Sequence, residues 1–259
     1  MKRSEVDESN LQLREAWKLY AHLNPGGESF DRDGLSLANA NQPWFFMNVG
    51  MLSRPVADES DLKRRAMEAT EYFSQAKNPW VLTASEDWFG VDPQGVLSSV
   101  GLEHKLDLTG MVAERLNPPA RAFPLATRLL RTDNEEVSLA LADLNAAAYG
   151  VPNRWGRLAL CAVLRRAPLF GTVAYLGGRA ASGALALPIE NSLYVGWVAT
   201  AKSYRRMSLA ELVMRHFLEE ARSATGLERT WLHATADGLP VYLRMGYRAV
   251  VKFPFYGPK

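Results

Sequence analysis

Apolar positions recur along this chain at two spacings, and the switches between them divide it into elements. From Glu5 to Leu23, Leu11, Leu13, Ala16, Trp17, Leu19 and Tyr20 alternate with Glu15 and Lys18 at helical intervals, and Asn24-Pro25-Gly26-Gly27 ends the run. A polar stretch follows to Gln42. Trp44 to Met51 is apolar and aromatic and predicts a buried strand. Leu62, Ala66, Ala69, Tyr72, Phe73 and Ala76 predict a helix over Ser60 to Ala76, with Ser60 or Asp61 as N-cap. Asn78-Pro79 breaks it before a short strand, Trp80 to Ala84.

Asn117-Pro118-Pro119 and Pro124 bracket a linker candidate, after which the pattern restarts. Thr127 to Arg131 reads as a strand, and Asp133 or Asn134 caps a helix through Tyr149 that Gly150 and Pro152 end. A second helix runs from about Arg154 to Arg166. Phe170 to Leu176 and Ala181 to Leu187 are strands about Gly177-Gly178, a hairpin signal, and Ser192 to Thr200 is a third. Leu209, Leu212, Val213, Phe217 and Ala221 form the stripe of a helix from Ser208 to Thr225, which Gly226 stops. Thr230 to Thr235 is a strand. Asp237-Gly238-Leu239-Pro240 opens a short helix closed by Gly246, and Tyr247 to Phe255 is the last strand.

Composition changes this picture little but excludes several functions. The 259 residues carry 30 Lys and Arg against 28 Asp and Glu, so no strong field favours nucleic acid or an anionic membrane. The one cysteine, Cys161, lies in an apolar run and reads as a buried thiol; His22, His104, His216 and His233 show no metal-ligand spacing, so no metal is expected. The first ten residues lack the apolar segment of a signal peptide, and no uncharged apolar run approaches a membrane span. The expectation is a cytoplasmic protein.

Two local motifs carry the chemistry. Val198-Ala199-Thr200-Ala201-Lys202-Ser203-Tyr204-Arg205-Arg206-Met207-Ser208-Leu209-Ala210-Glu211 joins a strand to a long helix, and basic residues there oppose the helix dipole unless an anion is bound. Leu232 to Tyr247 reads strand, loop, short helix and stop, ending Val241-Tyr242-Leu243-Arg244-Met245-Gly246-Tyr247. Together with the element order from Thr127, these motifs resemble the GNAT superfamily of N-acetyltransferases. Arg205, Ser208 and Ala210 fall on the superfamily's Arg/Gln-x-x-Gly-x-Gly/Ala signature, and the stretch around Tyr242 resembles its Leu-Tyr-x-Lys/Arg-x-Gly-Phe/Tyr, with Val241 at the leucine position. The family usually has glycine at 208 and often at 206; here serine and arginine stand there.

The resemblance implies an α/β (α+β) fold with a mixed, mostly antiparallel sheet flanked by helices, and acetyl-CoA as cosubstrate. Its pyrophosphate would lie on Arg205, Arg206, Met207, Ser208, Leu209 and Ala210. Val198, Ala199 and Thr200 would line the thioester, a backbone N–H of Val198 or Ala199 polarising its oxygen, and pantetheine would sit where strand 192–200 splays from strand 230–235. Thr235 stands where many members carry a cofactor-touching asparagine. Tyr242 falls on the tyrosine that protonates the departing thiolate, which a phenol can do because its pKa exceeds that of a thiol. His233 and Glu190 are the nearest bases by sequence, and a water relay needs neither. Trp155, Trp197 and Phe170 are core aromatics first, with lining of an acceptor pocket the alternative.

The first half repeats the second weakly. Trp44 to Met51 parallels Leu193 to Ala199, the helix from Asp61 parallels that from Ser208, Trp80 to Ala84 parallels Trp231 to Thr235, and Val96 to Leu102 parallels Val241 to Tyr247. Residues 1–120 are thus expected to be a degenerate GNAT-like domain in tandem with an acetyltransferase domain at 121–259. Leu97 takes the tyrosine position, and Pro55-Val56-Ala57-Asp58-Glu59-Ser60-Asp61 is an acidic loop that repels pyrophosphate. The function expected is transfer of acetyl from acetyl-CoA to a small-molecule or peptide amine. The alternatives are a catalytically eroded acyl-CoA-binding or regulatory protein, and an interaction scaffold. The acceptor and the oligomeric state stay open, a homodimer included.

Overall fold

The computed structural model describes residues 3–166 and 168–259. In chain order the elements are α1 (Glu5–Leu23), β1 (Glu28–Arg32), β2 (Leu35–Asn39), a 3-10 turn (Phe45–Met47), β3 (Asn48–Leu52), α2 (Glu59–Ala76), β4 (Val81–Thr83), α3 (Glu86–Phe89), α4 (Pro93–Ser99) and β5 (Leu102–Ala113). There follow β6 (Arg128–Arg131), α5 (Glu135–Tyr149), α6 (Asn153–Arg166), β7 (Phe170–Leu176), β8 (Arg179–Ile189), β9 (Ser192–Thr200), a 3-10 turn (Lys202–Tyr204), α7 (Leu209–Thr225), β10 (Thr230–Ala234), α8 (Leu239–Met245) and β11 (Arg248–Pro258). The class is mixed α/β, as expected.

Two compact units result. Unit 1 holds the residues up to Met111 together with His233–Leu239 and Ala249–Lys259; unit 2 holds Val112–Leu232 and Pro240–Arg248. The passage between them falls inside β5, and the Pro-rich stretch at 117–124 lies within unit 2.

Unit 1 orders its strands β1-β2-β3-β4-β11-β5. The hairpin β1–β2 occupies what reads in the sequence as a polar stretch. Its turn is Asp33-Gly34, with Gly34 at φ 76°, a strong short hairpin signal that the polar strand β1 masks. The apolar run at 44–51 is likewise not one strand: it forms a 3-10 turn and then β3. The N-cap of α2 is Asp58, not Ser60 or Asp61. One face of α2 buries Leu62, Ala66, Ala69 and Phe73 with Leu35, Leu37, Leu82 and Trp80. Phe73 stacks on Trp80 with centroids 4.8 Å apart. Truncating such a buried aromatic costs about 3–5 kcal/mol.

Unit 2 orders its strands β10-β9-β8-β7-β6. The hydrophobic face of α7 (Leu209, Val213, Met214, Phe217, Leu218 and Ala221) is buried and lies on β7, β8 and β9. Asn134 caps α5 by accepting from the Val137 N–H at 3.0 Å. The helices α5 and α6 form a close pair because Gly156 lacks a side chain: a Cβ there would meet the Ala142 carbonyl oxygen at 2.7 Å.

The two units share one pattern of pairing. In unit 1, β1/β2 and β2/β3 are antiparallel and β3/β4 parallel, with α2 between the parallel strands. In unit 2, β7/β8 and β8/β9 are antiparallel and β9/β10 parallel, with α7 between them. The weak repeat read from the sequence is therefore a repeat of strand order.

Candidate active site

The register of β8 against β9 shifts between Gly183↔Ala199 and Leu185↔Gly196. Two residues of β9, Trp197 and Val198, thus oppose the single Ala184, a β-bulge with Trp197 at φ 57°. A side chain of α5 holds it: Asn145, fully buried, donates Nδ2–H to the Trp197 carbonyl at 2.9 Å and to the Leu141 carbonyl at 3.0 Å. The parallel ladder of β10 on β9 comprises Thr230↔Leu193 and Trp231↔Tyr194, whereas β9 continues to Thr200. The bulged segment, with Val198, Ala199 and Thr200, lies beyond the end of that ladder. Beyond it, Ser182 Oγ–H donates to the Ala199 carbonyl at 3.1 Å and lies 2.8 Å from Thr200 Oγ1.

The chain leaves β9 through the turn at Lys202–Tyr204 and enters α7 at Ser208. Arg206 (φ 64°) and Ser208 (φ 58°) both take the left-handed conformation. The family that the motif resembles usually has glycine at 208 and often at 206, and the left-handed conformation is the one glycine adopts most readily. The Ser208 side chain makes no cap bond. The Leu209, Ala210 and Glu211 N–H groups at the helix start thus have neither an intrahelical partner nor a capping oxygen from Ser208. Lys202, Arg205, Arg206 and Met207 are exposed. Donors without a cap, an aligned dipole and three cations beside them are the donor set that suits a pyrophosphate.

Tyr242 lies on α8, its side chain buried and edge-on to Tyr247 with centroids 5.9 Å apart. Burial, with the neighbouring phenols of Tyr149 and Tyr247, drives its pKa far above the ordinary tyrosine range, so the phenol keeps its proton. Thr235 accepts from Gly238 N–H through Oγ1 (3.3 Å) and from Leu239 N–H through its carbonyl (3.0 Å), and so shapes the entry to α8. Of the two bases considered, Glu190 sits in the β8–β9 turn at φ 49°, at the opposite end of β9 from the bulge. His233 lies 3.3 Å from Ser9 Oγ and edge-on to Phe253, and burial pushes its pKa down to about 3. Glu190 thus lacks the placement, and His233 the basicity, of a general base near neutral pH. Trp155, Trp197 and Phe170 are half-buried.

The equivalent parts of unit 1 are built differently. The β2/β3 register runs without a shift from Leu35↔Leu52 to Asn39↔Asn48, so no bulge forms there. Leu97 stands at the tyrosine position and is fully buried. The start of α2 is closed by its own side chains: Asp58 accepts from Asp61 N–H at 2.8 Å, and Asp61 from Ala57 N–H at 3.1 Å. Beneath the loop, the fully buried Arg65 donates to the carbonyls of Gly34 (2.9 Å), Arg54 (2.8 Å) and Pro55 (3.2 Å) and pairs with Asp61. In unit 1 a carboxylate therefore takes one of the helix-start amides, that of Asp61, and a second takes the Ala57 amide just before the helix.

Comparison with known proteins follows this division. The model of the Acetyltransferase (GNAT) family matches residues 136–247. That stretch is a GNAT-family domain. It contains the bulge, the start of α7 and Tyr242, and none of β1 to β5. The GNAT fold supports acyl transfer in general, and over the full chain the likeness is one of fold. A GCN5-related N-acetyltransferase from Kribbella flavida superposes with a TM-score of 0.73 at 16% identity, covering 96% of this chain and 95% of that one. A tandem GNAT protein from the clavulanic acid biosynthesis pathway gives 0.58 at 15%, covering 97% and 94%. A functionally unknown conserved protein from Staphylococcus epidermidis gives 0.66 at 9%, covering 89% and 93%. No curated protein matches the sequence. Among the described residues no group of three or more His, Cys, Asp or Glu could hold a metal ion.

The motifs named Val198 to Thr200, Arg205 to Ala210 and Tyr242 but not Asn145, which holds the bulge. Asn145 had a signal: it is the polar residue in the buried stripe of Leu141, Ala142, Leu144 and Ala146, where an amide needs a partner.

Proposed function

We propose that the chain is an N-acetyltransferase that moves an acetyl group from acetyl-CoA to an amine by direct attack, working in unit 2. The observation that carries this is the pairing, in one unit, of a bulged β9 with an uncapped helix start whose backbone has two left-handed residues. The repeated unit has neither. Arg205, Arg206 and the Met207 to Ala210 backbone would hold the pyrophosphate, and Val198 to Thr200 the thioester end. When bound, acetyl-CoA supplies the acyl carbon that the amine attacks. A backbone N–H of the bulge stabilises the negative charge that develops on the acyl oxygen, at a fixed position that needs no reorganisation. Tyr242 holds a proton at Oη for the departing thiolate. The acceptor is a small-molecule or peptide amine. No helix among the described residues is long and apolar enough to cross a membrane, and the working compartment we infer is the cytoplasm.

A second reading, an acyl-CoA-binding protein without turnover, draws on Arg206 and Ser208, where side chains occupy backbone positions suited to glycine. Calorimetry with CoA and acetyl-CoA, paired with thiol release in the presence of amines, separates the two. The enzyme reading expects micromolar binding of one CoA per chain, lost in Arg205→Ala/Arg206→Ala, together with amine-dependent thiol release. Binding without release from any amine supports the second reading, and no binding at all removes both.

A further inference from the structure

We propose that Arg215 is a positioning residue that keeps the start of α7 open to an anion, by holding the Glu211 carboxylate off the helix amides. This rests on the transferase reading above for the identity of the anion, the pyrophosphate of CoA. The arrangement itself is argued from the first two turns of α7.

The sequence at that start is Ser208-Leu209-Ala210-Glu211. Ser-x-x-Glu is the capping-box pattern: the serine side chain accepts from the amide of the glutamate, and the glutamate side chain reaches back to the amide of the serine. Such a pair closes a helix start with its own side chains. Neither half is made here. Ser208 is left-handed, not extended as a capping residue usually is, and its side chain makes no cap bond. Glu211 Oε1 instead accepts from Arg215 Nε at 3.0 Å and from Arg215 Nη2 at 2.8 Å. The Glu211 side chain is only 9% exposed, so it depends on that counter-ion.

Unit 1 holds the closed form of the same device. Counted from the N-cap, Asp58, Asp61 and Arg65 of α2 stand where Ser208, Glu211 and Arg215 stand in α7. In α2 the cap bond is made, and Asp61 reaches back to the Ala57 N–H while it pairs with Arg65. The two arginines differ in what else they hold. Arg65 donates to the carbonyls of Arg54 and Pro55, in the loop that leads into its own helix, and draws Asp61 toward that loop. Arg215 Nη2 donates to the Asn117 carbonyl. Asn117 in turn gives its N–H to the Met245 carbonyl at 2.8 Å, and it lies so close to Gly246 (φ 101°) that a Cβ there would meet the Asn117 nitrogen at 3.0 Å. The guanidinium is anchored to the strap at the end of α8 and not to the loop before α7, and the carboxylate follows it.

The consequence is electrostatic. A carboxylate in the first turn of a helix competes with a bound anion for the same amides and the same dipole. Arg215 neutralises that carboxylate and fixes its position. Without the guanidinium, the buried carboxylate turns to the donors the capping box offers it, and the site closes as the start of α2 is closed.

The test uses the full chain as wild type, Arg215→Met and Glu211→Met/Arg215→Met. Each is titrated by calorimetry with CoA and with inorganic pyrophosphate, and amide hydrogen exchange is followed without ligand. Arg215→Met should weaken both probes about tenfold and slow exchange at the Ser208 amide about tenfold, and the double variant should return both to within about threefold of wild type. Removing a second side chain would not repair a merely structural loss. Unchanged affinity in Arg215→Met, affinity not restored in the double variant, or unchanged exchange at Ser208 overturns the proposal. So does a loss of exchange protection along the whole of α7 in Arg215→Met, which assigns the arginine a structural role. If the wild type binds neither probe, the transferase reading falls and exchange alone decides this inference. Slowing in Arg215→Met that the double variant reverses leaves Arg215 as the residue that holds the helix start open; any other exchange result removes it.

Discussion

Arg65→Met tests how far unit 1 relies on the side chain that closes its loop. Arg65 has no exposed surface, and its guanidinium serves three carbonyls and Asp61. Methionine fills similar volume without a donor, so the loss is electrostatic and not a cavity. Removing one partner of a buried pair typically costs about 3–5 kcal/mol. Asp61 keeps a 2.8 Å bond from Arg64 and the Ala57 N–H, which moves the expectation to the lower end, about 3 kcal/mol. For a protein of this size that lowers Tm by about 6–12 °C. Thermal unfolding followed by tryptophan fluorescence reads it, since Trp44, Trp80 and Trp88 are buried in unit 1. The pH dependence adds a second check. Burial alone would raise the pKa of Asp61, but the hydrogen bonds from Arg65, Ala57 N–H and Arg64 together hold it far below the carboxylate range. A depressed carboxylate contributes stability above its unfolded pKa of about 4 and loses it as the pH falls below that value. The variant should therefore lose more stability at pH 7 than at pH 3. A Tm drop under about 2 °C at pH 7, or one that grows on acidification, would refute the reasoning.

Ser208→Gly relieves a left-handed residue and should raise stability by about 1 kcal/mol, read by urea denaturation, with CoA affinity equal to or better than wild type. Tyr242→Phe should lower kcat by about 10²- to 10⁴-fold in the thiol-release assay while CoA affinity stays within twofold. Because burial holds the Tyr242 proton, raising the pH from 7 to 9.5 should cost the wild type no activity through this group. His233 has a folded pKa near 3 against 6.5 unfolded, so the unfolded chain takes up its proton first. Stability should fall by up to about 1.4 kcal/mol per pH unit between pH 6 and 4, and His233→Gln should flatten that slope in acid melts.

How much of this was legible in sequence depends on how local the cause was. The helices α1, α5 and α7 and the strands β7 and β9 follow from periodicity and caps, because Asn134, Gly150 and Gly226 act within a turn of themselves. The hairpin β1–β2 was missed although Asp33-Gly34 signals it, because β1 is mostly exposed and carries no apolar alternation. The motif at 198–211 located the helix start, but its left-handed residues are not visible in a sequence that reads Arg206 and Ser208. The bulge is a register shift between two strands and has no local signature beyond Gly196. In the sequence Arg65 is one more charged residue of α2, and only the carbonyls of distant loops show why it is buried.

The strand β11 lies in the sheet of unit 1, antiparallel to β4 through Phe255↔Thr83 and Tyr256↔Leu82, although more than a hundred residues of unit 2 separate it from the rest of that sheet. A chain growing from its N-terminus therefore makes β1 to β5 long before their missing neighbour exists. Until β11 emerges, β4 presents unpaired backbone groups, and Thr83 Oγ1 lacks the Pro254 carbonyl to which it donates at 2.9 Å. Unit 1 starts first and finishes last. A fragment cut after Ala113 would be an open sheet prone to self-association, and the two units are one inheritable piece that cannot be shuffled apart by breaking the chain between them.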